Sequence, residues 1–308
     1  MSTQSASSRS RWLILGCFLA VYGIWGSTYL AIRISIQTLP PFLMAGARFF
    51  VAGILMYAWL RRTGTPAPTR AQWRNAGVQG FLLLTAGNSV IVWAEQWVPS
   101  SLAALIVCTQ PVWFALVEWA RPGGRPPRLR QWSGIGVGLA GVLWLIAVAS
   151  GVQAGSERHL PLLLAVLGAC LAWSAGSVLG RQWDKPASPL TGAAMQMICG
   201  GTASLVVAAL RREDRAFHWH SVSTNSWLAL AYLVVFGSWI AYSAYVYLLQ
   251  ACTPSVVSTY AYVNPVIAVL LGATLAGERV TASMGAAGAV TLCGVFLLTL
   301  PERGPKQP

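Results

Sequence analysis

Charge is scarce in this chain: only 9% of its 308 residues are Asp, Glu, Lys or Arg, and just eight are acidic. A soluble domain of this size cannot hide 56% hydrophobic residues in one core, so a soluble fold is excluded. Histidine is rarer still, with His159, His218 and His220 falling between apolar runs. The six cysteines (Cys17, Cys108, Cys170, Cys199, Cys252 and Cys293) lie inside those runs and form no CxxC. They read as small apolar residues, which excludes a metal centre and a disulfide framework. No HExxH, Gly-x-Ser-x-Gly or paired aspartate occurs, so no catalytic residue, metal or cofactor is expected and the chain is read as a non-enzyme.

What is present is a series of apolar runs, each near the roughly 20 residues that span about 30 Å of hydrocarbon. They fall at Trp12–Ile36, Phe42–Leu60, Gly77–Trp93, Leu102–Trp119 and Trp132–Ala149, then at Leu160–Leu179, Leu190–Leu210, Leu228–Leu249, Ser255–Ala276 and Met284–Leu300. The first follows Arg9 and Arg11 but is too long for a signal-peptide core and has no small-residue cleavage site before Tyr22, so it is expected to remain as a helix. The fold class expected is an all-α integral membrane protein of about ten helices.

The chain also contains itself twice. Trp25, Pro41, Arg48 and Gly53 recur at a constant spacing of 148 residues as Trp173, Pro189, Gln196 and Gly201. Farther on, Pro99-Ser100 and Pro111-Val112 face Pro254-Ser255 and Pro265-Val266. The expected units are residues 12–149 and 160–300, with five helices each. An odd number makes the second unit enter the membrane from the opposite side, so the repeats are inverted and a solute site is expected between them.

Basic residues set the expected orientation. Arg61, Arg62, Arg70 and Arg74 fill one loop and Arg121, Arg125, Arg128 and Arg130 another, while the loops around Pro40 and Trp97 hold no Lys or Arg. The positive-inside rule puts the N-terminus in the cytoplasm, and ten spans return Arg303 and Lys306 to the same side. Arg211, Arg212 and Arg215 break the pattern, since they fall on the outside. The net charge of +13 thus reflects topology and contact with anionic headgroups, and no nucleic acid partner is expected.

Candidate site residues follow from polar and aromatic groups inside spans. Trp25, Ser27 and Thr28 neighbour one another on the first helix, and Trp173 repeats Trp25. Asn88 is a buried amide in the third span. Ser238, Tyr242 and Tyr245 follow a 4-then-3 rhythm in the eighth. Pro111 and Pro265 each remove a helix donor, making them candidate hinges, and the preceding Gln110 and Asn264 can repair the kink or meet a solute, with Tyr260 one turn before Asn264. Arg48, about 10 Å into its helix at 1.5 Å per residue, must be paired, hydrated or bonded to carbonyls; it is either a structural clamp or the binder of a substrate carboxylate. Arg33 lies near a helix end and can snorkel. Glycines at 134, 136, 138 and 141, at 200 and 201, and at 285 and 288 are expected to let helices approach closely.

Several stretches carry a family resemblance. They are Gly23-Ile24-Trp25-Gly26-Ser27-Thr28, Pro41 through Phe49, Pro99-Ser100-Ser101-Leu102-Ala103-Ala104-Leu105 leading to Gln110-Pro111-Val112, and Pro254-Ser255-Val256-Val257-Ser258 leading to Asn264-Pro265-Val266 and Gly277-Glu278. The chain resembles the EamA-domain family of the drug/metabolite transporter superfamily, and within it the YddG-type exporters of amino acids. The resemblance implies two five-helix repeats around a cavity built from the first, third, fourth, sixth, eighth and ninth helices. It implies export of small metabolites, foremost amino acids including aromatic ones, from a bacterial inner membrane; the lipid bilayer is the expected surrounding, with a monomer as one option and the oligomeric state left open. The alternative is a broad exporter of drugs, sugars or nucleosides, coupled to protons. The related small multidrug resistance proteins carry a membrane-embedded Glu in their first helix. Here the first and sixth spans contain no acid, while Glu95, Glu118 and Glu278 lie near span ends, so uniport is expected.

Overall fold

The structure, a computed structural model, describes residues 3–124, 126–152, 159–278 and 280–299. Arg125, Leu300, Arg303 and Lys306, used in the readings above, lie outside the described residues, as do the side chains of Arg9, Pro254 and Ser255.

Regular structure among the described residues is helical throughout. Eight helices are long and apolar enough to cross a membrane: α1 (Arg11–Ser35), α2 (Pro41–Arg62), α3 (Arg70–Ala94), α4 (Ser100–Ala120), α5 (Leu129–Val148), α6 (Leu160–Gln182), α7 (Pro189–Leu210) and α8 (Thr224–Ala251). Two shorter apolar helices follow, α9 (Tyr260–Leu275) and α10 (Ala282–Leu298). The chain is a multi-pass membrane protein of two inverted five-helix repeats. For description, one end of the bundle is the α1/α2 end, where α1 turns into α2, and the opposite one is the α2/α3 end.

Local chemistry explains where the helices start. Polar residues extend α3 and α8 beyond their apolar runs because both have caps: Thr69 and Gln72 form a reciprocal capping box, and Ser223 accepts from the Ser226 amide at 3.1 Å. Pro41 and Pro189 occupy the first position of α2 and α7, where a missing amide proton costs nothing.

Matching helices of the two repeats pack against each other where they lack side chains. Between α2 and α7, a Cβ on Gly53 would lie 2.7 Å from the Ile198 backbone nitrogen, and one on Gly201 would fall on the backbone of Phe50. Between α5 and α10, a Cβ on Gly134 would meet the Leu298 nitrogen at 2.7 Å, and Gly141 is pressed against Thr291. These are the small-residue contacts of membrane helices. Gly136 and Gly285, grouped with them in the sequence reading, face open space instead.

Regular α-helix fails in corresponding places. Residues Phe81–Ser89 of α3 and Leu233–Tyr242 of α8 are wound as π-helix, a widening frequent at functional sites. The Ser89 hydroxyl donates to the Leu84 carbonyl at 2.8 Å and thereby occupies a carbonyl within the widened turn. The fourth and ninth helices differ from each other. α4 ends its first half at Val107, turns at Cys108 and Thr109, and restarts at Gln110 with Pro111 in the first turn of the second half. Pro265 instead lies inside the continuous helix Tyr260–Leu275, and the break falls at Ser258 and Thr259, after a single turn at Pro254–Val257. The two prolines thus do not mark equivalent kinks, and the ninth span is a turn plus a helix rather than one run from Ser255 to Ala276.

Candidate functional site

At the centre of the bundle, four rings close the way toward the α2/α3 end. Trp25 of α1 and its repeat mate Trp173 of α6 meet edge to face with centroids 5.5 Å apart. Tyr245 of α8 lies 5.0 Å from Trp25 and 5.3 Å from Trp173, while Tyr260 of α9 meets Trp25 at 5.4 Å. Buried rings of this kind need partners for their polar tips. The Trp173 indole donates to the Tyr245 hydroxyl at 2.8 Å, Ser177 bonds that hydroxyl at 2.6 Å, and Trp25 donates to the Gly237 carbonyl at 3.3 Å. A further link from Tyr22 to Thr259 at 2.6 Å ties α1 to the entry of α9 below this plug.

Above the plug, toward the α1/α2 end, is a narrow cavity. About 60 Å³ of it is open to the centres of water-sized molecules, so a solute larger than a few waters needs the walls to part. Its floor is Trp25, Trp173 and Tyr260, and its polar groups are Thr28, Arg48, Asn88, Gln110 and Asn264. Tyr242 and Phe49 complete the aromatic wall, and Tyr29, Ile32 and Ile91 continue it toward the α1/α2 end.

Arg48 is the one cation of this lining. It is 3% exposed, its Nε donates to the Ser238 hydroxyl at 2.9 Å, and its guanidinium carbon lies 4.6 Å over the Phe49 ring. Gly237 is what admits it, since a Cβ there would come within 2.6 Å of Nη2. Nη1 has no hydrogen-bond partner, and no carboxylate pairs with Arg48 among the described residues. Its repeat mate Gln196 has partners at both ends of its amide: it accepts from the Tyr242 hydroxyl and donates to Gln79, both at 2.7 Å. The Oδ1 of Asn88 is likewise buried and unpaired.

Nine candidates from the sequence thus meet in one place: Trp25, Thr28, Arg48, Asn88, Gln110, Trp173, Tyr242, Tyr260 and Asn264. Two of them also brace the walls. Gln110 donates to Ser174 at 2.8 Å and to the Cys170 carbonyl at 2.9 Å, and the Asn264 amide nitrogen reaches the Tyr22 carbonyl at 3.0 Å. Three candidates stand behind the lining. Ser27 bonds Tyr232 at 2.6 Å, Ser238 holds Arg48, and Tyr245 supports Trp173. The widened turns of α8 explain the last two, because a rhythm counted on 3.6 residues per turn loses its phase across Leu233–Tyr242. Sequence reasoning named Arg48 but missed its neighbour Phe49, and with it the place of α2 in the wall of a cavity expected from six other helices. An arginine in the same helical run as an unpaired aromatic was the available signal.

A ten-helix bundle of inverted repeats around a central cavity defines a membrane transporter. The EamA-like transporter family model matches residues 11–147 and again 160–300, and the chain belongs to that family. It is 39% identical to the inner membrane transporter YedA of Escherichia coli over 93% of this chain and 90% of that one. It is 25% identical to a chloroplastic WAT1-related protein of Arabidopsis thaliana, over 94% of this chain and 70% of the other. It is 24% identical to the protein PagO of Salmonella typhimurium, over 94% of this chain and 93% of that one. A solved crystal structure, 21% identical, shares the fold with a TM-score of 0.68 over 94% of this chain and 98% of that chain.

Proposed function

We propose that this protein exports amino acids, aromatic ones included, across a bacterial inner membrane, acting by alternating access as a uniporter. The observation that carries this reading is Arg48: a buried guanidinium, walled by rings, with one nitrogen unpaired and no carboxylate pairing with it among the described residues. Leaving a charge so placed is costly unless a ligand completes it. A solute carboxylate at Nη1 would form a charge-assisted bond. The unpaired Oδ1 of Asn88 offers an acceptor for an amino group, and Trp25, Trp173 and Tyr242 offer apolar faces. On this reading Arg48 is both clamp and binder, with Nε committed to Ser238 and Nη1 left for the solute.

The same charge argues against the alternative of a broad exporter of lipophilic cations, which would be repelled by the guanidinium. Inner-membrane location is supported by the name of the YedA relative. Cytoplasmic termini are supported by exposed Arg61, Arg62 and Arg74 at the α2/α3 end. Two arginines at the other end are engaged by the protein itself: Arg33 donates to the Glu95 carbonyl, and Arg211 lies over the Phe42 and Trp93 rings at 5.5 and 5.4 Å. By this orientation the α1/α2 end faces outward, and the aromatic plug closes the cytoplasmic side.

Competition tests the reading. Counterflow of a labelled aromatic amino acid in proteoliposomes should be inhibited by the unlabelled amino acid and hardly at all by its decarboxylated amine. Equal inhibition by both would remove the role given to Arg48.

A further inference from the structure

The carboxyl group of Glu95 has no part in the reading above. It is the first residue past α3, one helical turn beyond the cavity residue Ile91 toward the α1/α2 end. The side chain is 0% exposed, and neither Oε1 nor Oε2 has a hydrogen-bond partner.

From α1, Arg33 donates through Nη1 to the main-chain oxygen of Glu95, not to its carboxyl, and Tyr29 lies one turn back within electrostatic reach. From the α9–α10 connection comes the carboxylate of Glu278. That carboxylate is fully occupied by the first turn of α4, accepting from the Ser100 amide at 2.9 Å, the Ser100 hydroxyl at 2.7 Å and the Ser101 amide at 3.0 Å. From α4, the Ser101 hydroxyl is buried without a partner. A second carboxylate beside one already ionised and hydrogen-bonded, with no solvent and no donor of its own, is tolerated as the neutral acid. At the same end of the bundle, neutral bonds tie α1 and the turn after it to the start of α8, from Thr38 to Ser226 at 2.8 Å and from Ser226 to the Ile34 carbonyl at 3.0 Å.

We infer that Glu95 is a proton-operated latch on the α1/α2 end of the cavity. With that end closed, the carboxyl is neutral. When the end opens, water enters, the O–H bond breaks, the proton passes to that water, and the carboxylate is held by water and by the nearby charge of Arg33. No other bond changes. The closed form therefore binds one more proton than the open form, so acid favours closure and alkali favours opening. The ratio of open to closed protein rises at most tenfold per pH unit, over the window between ionisation of Glu95 in the open form and in the closed one. The proton returns to the side it came from, so the latch gates a uniporter without carrying protons across. The inference rests on the alternating access proposed above and on no particular solute.

Ile32 lines the cavity and is 2% exposed, so a cysteine there reports opening. The Ile32→Cys protein, in detergent and without solute, is treated with a hydrophilic thiol reagent between pH 5 and 8. Each rate is corrected for the native cysteines and divided by the rate of free cysteine at the same pH. The corrected rate should climb with pH, by no more than tenfold per unit, and in the Glu95→Gln background it should be low and flat. Glu278→Gln, which removes the neighbouring charge, should shift the climb to lower pH. A profile that is flat in the parent, or unchanged by Glu95→Gln, overturns the latch. So does a Glu95→Gln protein that fails to fold, because an amide replaces a neutral acid without loss. Since no solute is present, these outcomes are independent of whether amino acids are the cargo.

Discussion

Trp25 and Trp173 are the same residue of two repeats, and they touch each other, edge to face, with ring centroids 5.5 Å apart. Symmetry mates meet only close to the axis that relates them, so this pair marks the pseudo-two-fold axis and the floor of the cavity at once. Such a pair adds about 0.5–1.5 kcal/mol beyond the area it buries. In a double-mutant cycle with Trp25→Phe and Trp173→Phe, thermal unfolding in detergent should show a coupling of about 1 kcal/mol. Additive effects would mean that the rings are not in contact in the membrane protein.

Removing the Trp25 ring opens the floor of the cavity and takes an apolar face from the solute. Trp25→Ala should lower transport efficiency at least tenfold, while Trp132→Ala, an exposed ring at the start of α5, should leave it within twofold. Initial rates in proteoliposomes check both.

The glycine seams discriminate sharply between neighbours. Gly201→Ala places a methyl group on the backbone of Phe50 and should destabilise the protein by about 1–3 kcal/mol, the usual cost of overpacking. Gly136→Ala meets open space and should be neutral or slightly stabilising. Melting temperatures of the two variants in the same detergent decide it.

Two acids cap helices of the opposite repeat at the α1/α2 end, with opposite consequences for pH. Glu213 accepts from the Leu43 amide at 2.9 Å, but burial outweighs the bonds to α2 and to Arg211 and pushes its carboxyl above the ordinary range. Glu278 is also partly buried, yet its bonds from Ser101 and Ser100 outweigh burial and hold its carboxyl below that range. A depressed carboxyl contributes stability above its unfolded-state pKa, about 4.3, which is lost as pH falls through the folded value. Glu278→Gln should therefore cost about 1 kcal/mol at pH 7, by the scale of helix caps, and much less at the acid end. For Glu213 the sign reverses: protonation on going from neutral to acid pH favours the folded form. Melting curves of both Gln variants at pH 7 and pH 4 test the contrast.

Much of this was legible in the sequence, and for identifiable reasons. Helices α1 to α8 and α10 follow from run length alone, because a membrane leaves no other way to satisfy the backbone. The constant spacing between Trp25 and Trp173 placed the repeats, and nine of the candidate residues share one cavity because polar groups in apolar helices must face inward. What escaped depends on backbone irregularity and long-range contact. The π-turns at Phe81–Ser89 and Leu233–Tyr242 have no signature in a 3.6-residue rhythm, so Ser238 and Tyr245 were placed one layer too far in. Pro265 carries the composition expected of a kink, yet the helix Tyr260–Leu275 runs on through it, and the break falls at Ser258 and Thr259. Glu95 stands near a span end in the sequence, which marks it as no midplane proton carrier and says nothing of its burial. Only the packing of α1, α4 and the α9–α10 connection around it makes it a buried carboxyl.

The account depends most on Arg48 as the group that holds the carboxylate of an amino acid. The direct measurement is saturable uptake of radiolabelled phenylalanine and tryptophan into proteoliposomes, by the parent protein and by Arg48→Gln, with and without an imposed pH gradient. The account predicts saturable uptake by the parent that needs no gradient, and a KM raised at least tenfold in Arg48→Gln while the protein still folds. No saturable uptake of either amino acid by the parent, or an unchanged KM in Arg48→Gln, would contradict it.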